Sequence, residues 1–348
     1  MLYSVLKSLI HFPLFKDDKQ PFYHHSPEVL KQVAVLNNKI KTKEYKHIIN
    51  NCLCGNKHPE KDILLAQKDM FGITLDSLIC SQCGLVRSKE ILDDESTAKF
   101  YTYEYKSIFY HMSEPNNEHF EGECERGEQF FNLLKEQNLL DKIETVFESG
   151  CGMGGNMYPL LKAQKKCSGC DFAKDYIEFG RQKGFDLYEG ELSDQHTLDD
   201  SQDLIILSHV MEHFNEPIKE MQKLIRKIKK GKYILIEVPG MFADNPYKYY
   251  PIRHLQKAHV YNFFYADFLK LFMERLGLQV IYINERCTLI AQKPEDYKEK
   301  DINKDIYTSN LSKYPNLIKN LFLENYIKHE ILSLRSNMFL RKVLNLFK

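Results

Sequence analysis

The chain has 348 residues, and Lys+Arg and Asp+Glu both total 48, so its formal net charge is zero. That balance gives no global attraction to nucleic acid or to an anionic membrane, and nucleic acid is not expected as a partner. The length suggests two domains with ample material for a core, and no apolar run is long enough to span a bilayer.

Residues 1–45 read as an N-terminal helical extension. Met1 to Phe15 is apolar around Lys7, but Pro13 interrupts it and no small-residue cleavage site follows, so it is not read as an export signal. Nine cysteines without such a signal are expected as reduced thiols in a cytoplasmic protein.

Residues 46–92 hold two close cysteine pairs, Cys52-Leu53-Cys54-Gly55 and Cys80-Ser81-Gln82-Cys83-Gly84, separated by 25 residues. Two pairs, each followed by glycine, suit a four-thiolate tetrahedral zinc site. Each pair makes a knuckle, and the glycine lets backbone N–H groups face sulfur. The first pair is C-x-C, one residue shorter than the usual spacing, and Asn51 and His58 stand near enough to alter the ligand set. Four thiolates leave no open coordination position, so such a zinc is structural. Cys124, Cys151, Cys167, Cys170 and Cys287 are expected to pack in the interior.

Residues 93–135, rich in Tyr, Phe and Glu, are expected to form a helical connector or cover. The chain then alternates as a doubly wound α/β domain should, over 136–295. Strand 143–148 leads into a glycine loop and a helix, and strand 166–171 follows. Helix 173–183 stops at Gly184, before a short strand 185–188. Strand 203–208 is a near-continuous apolar run, as a buried parallel strand requires. Helix 216–230 is expected to stop at Gly231, and strand 232–238 at Pro239-Gly240. An insertion at 239–260, helix 264–276 and a terminal hairpin of strands 278–284 and 286–292 complete the domain. The tail, 296–348, is lysine-rich and then helical. Its last stretch, 331–348, is a basic amphipathic helix, suited to peripheral membrane contact or to docking on its own protein or a partner subunit.

The most informative stretch is Val-Phe-Glu-Ser-Gly-Cys-Gly-Met-Gly-Gly at 146–155. Glu148 stands at the mouth of a buried strand, and Gly150, Gly152 and Gly154 let the backbone turn tightly and let a ligand press against it. Gly150, Gly152 and Gly155 also fit the dinucleotide pattern, so the glycines alone do not choose a cofactor. The acid does. A pyrophosphate would be repelled by a carboxylate two residues before Gly150. S-adenosylmethionine, with an amino group and a sulfonium, would be welcomed. Asp171 stands at the mouth of the next strand, where an acid accepts hydrogen bonds from ribose hydroxyls.

Together with Asp-Leu-Ile-Ile-Leu-Ser-His-Val-Met-Glu-His at 203–213, these motifs resemble class I S-adenosylmethionine-dependent methyltransferases, in the branch with an E-x-G-C-G-x-G loop and an S-H-V-x-E-H segment. The resemblance covers roughly residues 136–293. It implies a Rossmann-like, doubly wound seven-stranded sheet, set between a small N-terminal zinc-binding module and a C-terminal helical tail. It further implies that Glu148 orients the sulfonium end and that Gly150, Gly152 and Gly154 contact the methionyl part. Asp171 would hold the ribose, with Phe172, Glu191 and Leu192 beside adenine. Ser208 and His209 would lie next to the sulfonium.

Cys-Gly-Leu-Val-Arg at 83–87, followed by Phe100-Tyr101 and Glu104-Tyr105-Lys106, resembles the zinc-ribbon-like module fused to bacterial sugar and polysaccharide-cluster methyltransferases. That resemblance implies a small-molecule or glycan acceptor, and O-methylation of a nucleotide sugar or surface-polysaccharide unit. Carbon-methylating relatives carry a further C-terminal domain after the core, for which the tail 296–348 is too short, and that favours oxygen as the methylated atom. An alcohol acceptor must lose its proton, and histidine suits that work because its pKa lies near neutrality. His213 and His259 are the leading candidates for the base. His209, four residues from His213, and His254 are further ones. Tyr247, Tyr249, Tyr250 and Arg253 are candidate lid residues over a sugar. An RNA or protein methyltransferase is the competing reading, and zero net charge speaks against it. A non-catalytic binding scaffold and a nicotinamide enzyme are the others.

Overall fold

The structure, a computed structural model, describes residues 16–21, 24–105, 108, 114–190, 197–243, 259–300, 302, 309–322 and 324. Glu191, Leu192, the Tyr247–His254 group and the amphipathic stretch 331–348 lie outside the described residues.

The described chain opens on helix α1 (Pro27–Lys41), whose N-cap Ser26 accepts a hydrogen bond from the Val29 N–H and whose first turn holds Pro27. Val29, Val33 and Leu36 form its buried stripe. Strands β1 (His47–Ile49), β2 (Ile63–Lys68), β3 (Thr74–Ile79), β4 (Val86–Ser88) and β5 (Glu90–Leu92) follow. β1 pairs antiparallel with β5, while β2, β3 and β4 form an antiparallel meander. Helix α2 (Asp94–Tyr103) is capped by Asp93, and helix α3 (Asn117–Glu136) by Asn116.

The second half runs through β6 (Thr145–Ser149), α4 (Tyr158–Lys162), β7 (Lys166–Asp171), α5 (Lys174–Gln182), β8 (Asp186–Glu189), β9 (Gln202–Ser208), α6 (Pro217–Lys227) and β10 (Ile228–Glu237). It ends with β11 (Asn262–Phe263), α7 (Ala266–Arg275), β12 (Gln279–Ile283) and β13 (Thr288–Gln292). Seven of these strands form one sheet in the order β12-β13-β10-β9-β6-β7-β8. The five strands from β10 to β8 are parallel, and β13 and β12 run antiparallel at one edge. The strand order reverses between β6 and β9, which opens a crevice at their carboxyl ends.

Two local expectations need correction. The helix after the glycine loop begins as a 3₁₀ turn, Gly155–Met157, before the single short helix α4. Gly231 does not end a helix. α6 stops at Lys227, because Ile228 is already extended, and Gly231 (φ 73°) sits in a bulge of β10 between Ile228 and Tyr233. Its N–H donates to the Lys293 carbonyl. A positive-φ glycine serves a bulge as well as it serves a helix stop.

β11 does not join the seven-stranded sheet. It pairs antiparallel with β4, Asn262 opposite Arg87 and Phe263 opposite Val86, and so completes a four-stranded sheet with the N-terminal meander. A single apolar core runs from Cys52, Cys80 and Leu85 through Phe264 and Phe268 to Ile205 and Ile236. Leu311, Tyr314, Ile318 and Phe322 join it, so this part of the tail docks on its own chain. Among the described residues, no helix is long and apolar enough to cross a membrane.

Candidate functional site

The chain leaves β6 through Gly150 (φ 71°), Gly152 (φ 54°) and Gly154 (φ 85°). A Cβ on Gly150 would come within 2.5 Å of Val210, and one on Gly152 within 2.6 Å of Glu123 Oε1. The positive φ angles call for glycine at these positions, and at Gly150 the Val210 methyl also leaves no room for a Cβ. The loop is pinned by its own N–H groups. Those of Gly150 and Cys151 donate to the Cys170 carbonyl at 2.8 and 3.0 Å. That of Gly152 donates to Asp171 Oδ2 at 2.9 Å, and that of Gly155 to Glu123 Oε2 at 3.0 Å. Asp171 Oδ1 accepts from the Ala173 N–H at 2.8 Å.

Glu148, at the end of β6, is fully buried. Its Oε1 accepts from Asn156 Nδ2 at 2.7 Å, while Oε2 has no partner among the described residues. Burial pushes its carboxyl well above the ordinary range, and the nearby Glu123 and Asp171 add to the effect. Burial likewise raises Glu123 to about 7, with Asp171 contributing. Three carboxylates from α3, β6 and β7 thus surround one glycine loop, and a bound cation would relieve all three. Glu123 was not foreseen from the sequence. The available signal was Gly127 in mid-helix: a Cβ there would strike the Asn156 carbonyl at 2.5 Å, so α3 presses its Glu123–Gly127 face onto the loop.

At the end of β9, His209 adopts a left-handed backbone (φ 56°) and donates its N–H to the Glu237 carbonyl at 2.8 Å. Such a conformation is uncommon for a non-glycine residue and marks a strained position at the mouth of the sheet. The imidazole is 36% exposed, with Nδ1 3.4 Å from Glu212 Oε1 and Nε2 3.7 Å from Glu237 Oε2. Glu237 is also approached by Ser208 Oγ and Arg126 Nε, each at 3.5 Å. Burial alone would raise the Glu212 carboxyl, but His213 and His209 outweigh it and hold the group below its ordinary value.

His213 Nε2 lies 3.6 Å from the same Glu212 oxygen, and Nδ1 lies 2.6 Å from the His259 carbonyl. A carbonyl only accepts, so Nδ1 carries the proton. The His213 ring stacks on that of His259 at 4.8 Å, and His259 is buried beside Phe100 and Tyr105. The structure therefore sets His209 and His213 against Glu212, with His259 stacked on His213 and His209 the most open of the three. Glu212 and Glu237 were not singled out in the sequence, although Glu212 lies inside the His-Val-Met-Glu-His segment and Glu237 ends a central strand.

The four paired cysteines come together on the N-terminal module. All four sulfur atoms lie within 4.8 Å of one another, with Cys52–Cys83 and Cys54–Cys80 at 3.6 Å. A disulfide would need about 2.05 Å. Zinc with Zn–S bonds of about 2.3 Å sets tetrahedral sulfurs roughly 3.8 Å apart, so the donor set fits that ion. Both knuckle glycines have positive φ, Gly55 at 77° and Gly84 at 82°, and the Leu85 N–H points at Cys83 Sγ at 3.4 Å. Hydrogen bonding from the neighbouring thiols, Cys52 first, pulls the Cys80 thiol well below its ordinary range. His58 is exposed and pairs with Glu60, away from the cluster. From the other half, Tyr265 Oη donates to the Cys83 carbonyl at 2.6 Å.

Residues 117–283 match the family model described as a methyltransferase domain. The match begins at the first residue of α3 and ends at the last of β12. That segment is similar to methyltransferase domains, and its seven-stranded sheet has the methyltransferase fold. Solved structures similar to the chain include a SAM-dependent methyltransferase from Aquifex aeolicus, 19% identical over 47% of this chain and 88% of that one, with a TM-score of 0.37. Another, from Archaeoglobus fulgidus, is 21% identical over 56% of this chain and 87% of that one, with a TM-score of 0.36. A third, from Mesorhizobium loti, is 12% identical over 42% and 90%, also with a TM-score of 0.36. No curated protein matches this chain.

Proposed function

We propose that the chain is an S-adenosylmethionine-dependent O-methyltransferase acting on a sugar hydroxyl, in a nucleotide sugar or a surface-polysaccharide unit. The observation that carries the cofactor is the convergence of Glu123, Glu148 and Asp171 on the glycine loop. A dinucleotide would bring its pyrophosphate against three carboxylates. Bound S-adenosylmethionine supplies a methyl group on a sulfonium, whose displacement asks for alignment and water exclusion more than for help to the leaving group.

The residues divide that work. Glu148 and Glu123 face the cationic end, and the glycine backbone carries the methionyl part. Asp171 keeps lone pairs for ribose hydroxyls while bracing Gly152 and Ala173. Phe172 offers its face to adenine. His209 takes the proton from the acceptor hydroxyl, and Glu212 and Glu237 hold the imidazolium that results. His213 and His259 act from behind, fixing Glu212. Cys52, Cys54, Cys80 and Cys83 hold a structural zinc, in a module spanning 46–92, with 93–135 as a cover and 136–295 as the catalytic body. The sugar assignment rests on the likeness of the N-terminal module to those of polysaccharide-cluster enzymes.

The test is calorimetric titration of the zinc-loaded chain with S-adenosylmethionine, S-adenosylhomocysteine and NAD. Micromolar binding of the two adenosyl ligands and none of NAD supports the cofactor. Failure of both adenosyl ligands to bind a well-folded chain overturns it. Release of S-adenosylhomocysteine with nucleotide sugars, and none with mixed RNA, then tests the acceptor.

A further inference from the structure

Phe172 is 56% exposed at the end of β7, one residue beyond Asp171. The ring of Tyr101, from α2, faces it at 6.4 Å between centres and 15° from parallel. Two aromatic faces that hold a third flat ring between them stand about 7 Å apart, twice the contact distance of roughly 3.5 Å. The 6.4 Å between ring centres is a little less than that, so the two rings part slightly to admit a purine.

Tyr101 belongs to a fixed row of rings. Tyr105 lies 4.7 Å from it, and Tyr105 meets His259 edge-on at 4.9 Å. The row thus runs from Phe172 to the buried histidines. α2 itself is anchored to the methyltransferase segment. Asn215 Nδ2 donates to the Leu92 carbonyl at 3.2 Å and to Asp94 Oδ1 at 2.8 Å. Thr97 Oγ1 lies 3.3 Å from the Tyr261 hydroxyl. Asp93 caps the helix through the Ser96 N–H at 2.9 Å. These contacts set the height of Tyr101 over the mouth of β7.

We infer that α2 supplies the second jaw of the adenine site, with the purine held between Tyr101 and Phe172. This rests on the S-adenosylmethionine reading above. A purine is flat and uncharged, so it is gripped by stacking, and base–aromatic stacking is sequence-tolerant and strong. The cofactor site is then built from both halves of the chain. The glycine loop and Asp171 come from the seven-stranded sheet, and the covering ring comes from the helix that follows the N-terminal module.

The test uses the full zinc-loaded chain, titrated with S-adenosylhomocysteine and with 5′-methylthioadenosine, which keeps the adenosine and lacks the amino-acid end. Tyr101→Ala should weaken both ligands about tenfold. Tyr101→Phe should stay within about twofold of wild type, since the ring remains. Phe172→Ala, on an exposed side chain, should give a similar loss from the opposite jaw, and the double variant should lose less than the two singles multiplied. Wild-type binding by Tyr101→Ala overturns the clamp and leaves the cofactor reading standing, as does equal weakening by Ala and Phe. If the wild-type chain binds neither ligand, the cofactor reading falls and the clamp falls with it.

Discussion

The two halves each bury a nest of groups that carry negative charge when ionised, and they differ in how the nest is closed. In the N-terminal module four thiols point at one another across 3.6 Å gaps, buried on all sides, with every sulfur available as a ligand. In the methyltransferase segment three carboxylates surround a loop at the open end of a sheet, and they are partly satisfied by backbone N–H groups and Asn156. The first suits an ion that stays, because a closed tetrahedral shell leaves no path for exchange. The second suits a cation that comes and goes. On the proposed reading the same electrostatic need is met once by a fixture and once by a turnover ligand, and accessibility makes the difference.

The largest test of that contrast falls on the thiols. Cys80→Ser should drop bound zinc well below one per chain by elemental analysis. It should also lower the unfolding midpoint by roughly 10 °C or more, since structural zinc is worth on the order of 10 kcal/mol. A variant that keeps the wild-type midpoint would show that the cluster is not a fixture.

At the open mouth, His209→Ala should cut turnover roughly 10²–10⁴-fold while leaving S-adenosylhomocysteine affinity unchanged, as loss of a positioned base does. Unchanged turnover would move the base elsewhere.

Glu148→Gln should weaken S-adenosylmethionine about tenfold or more by calorimetry, because it removes charge and keeps the Asn156 hydrogen bond. The stability of the ligand-free variant relative to wild type should rise as pH rises. The Glu148 carboxyl is raised in the folded state, so its contribution is full at low pH and is lost as pH rises. Removing a thiol should therefore destabilise, whereas removing this carboxylate should become progressively more favourable as pH rises; a relative stability that does not rise with pH would break the comparison.

The smallest effect concerns Glu123. With its carboxyl at about 7 in the ligand-free state, it is half protonated near neutrality. A cationic ligand favours the ionised form, so affinity should fall as pH drops below 7, by at most about tenfold per unit. Titrations between pH 6 and 8 should show that slope, and Glu123→Gln should flatten it. In the ligand-free chain the same group gives stability that is full below about 4.5 and is lost as pH rises through about 7.

What could be read from sequence followed from local coding. β9 announced itself as an unbroken apolar run, the loop by its glycines and the metal site by paired cysteines, because each is specified within a few residues. Glu123 was illegible because α3 carries many charges, and only its packing against Gly155 distinguishes this one from its solvated neighbours. The choice among the histidines was likewise hidden. It depends on Glu212, in the turn after β9, and Glu237, at the end of β10, both approaching His209, and on His259 being folded under Phe100 and Tyr105. β11, at two residues, has no periodicity to read, and its partner lies far back in the chain.

That pairing has a consequence for how the protein is made. The N-terminal meander reaches its final four strands only when residues 262–263 arrive to lie beside β4. At common synthesis rates the wait is roughly ten to thirty seconds. During it, the edge of β4 is bare and the cysteine knuckle lacks the Tyr265 hydroxyl that will seal it. The first half emerges from the ribosome first but cannot complete its sheet until most of the chain has been made, so a nascent chain halted before residue 262 should leave that edge unpaired and prone to aggregate.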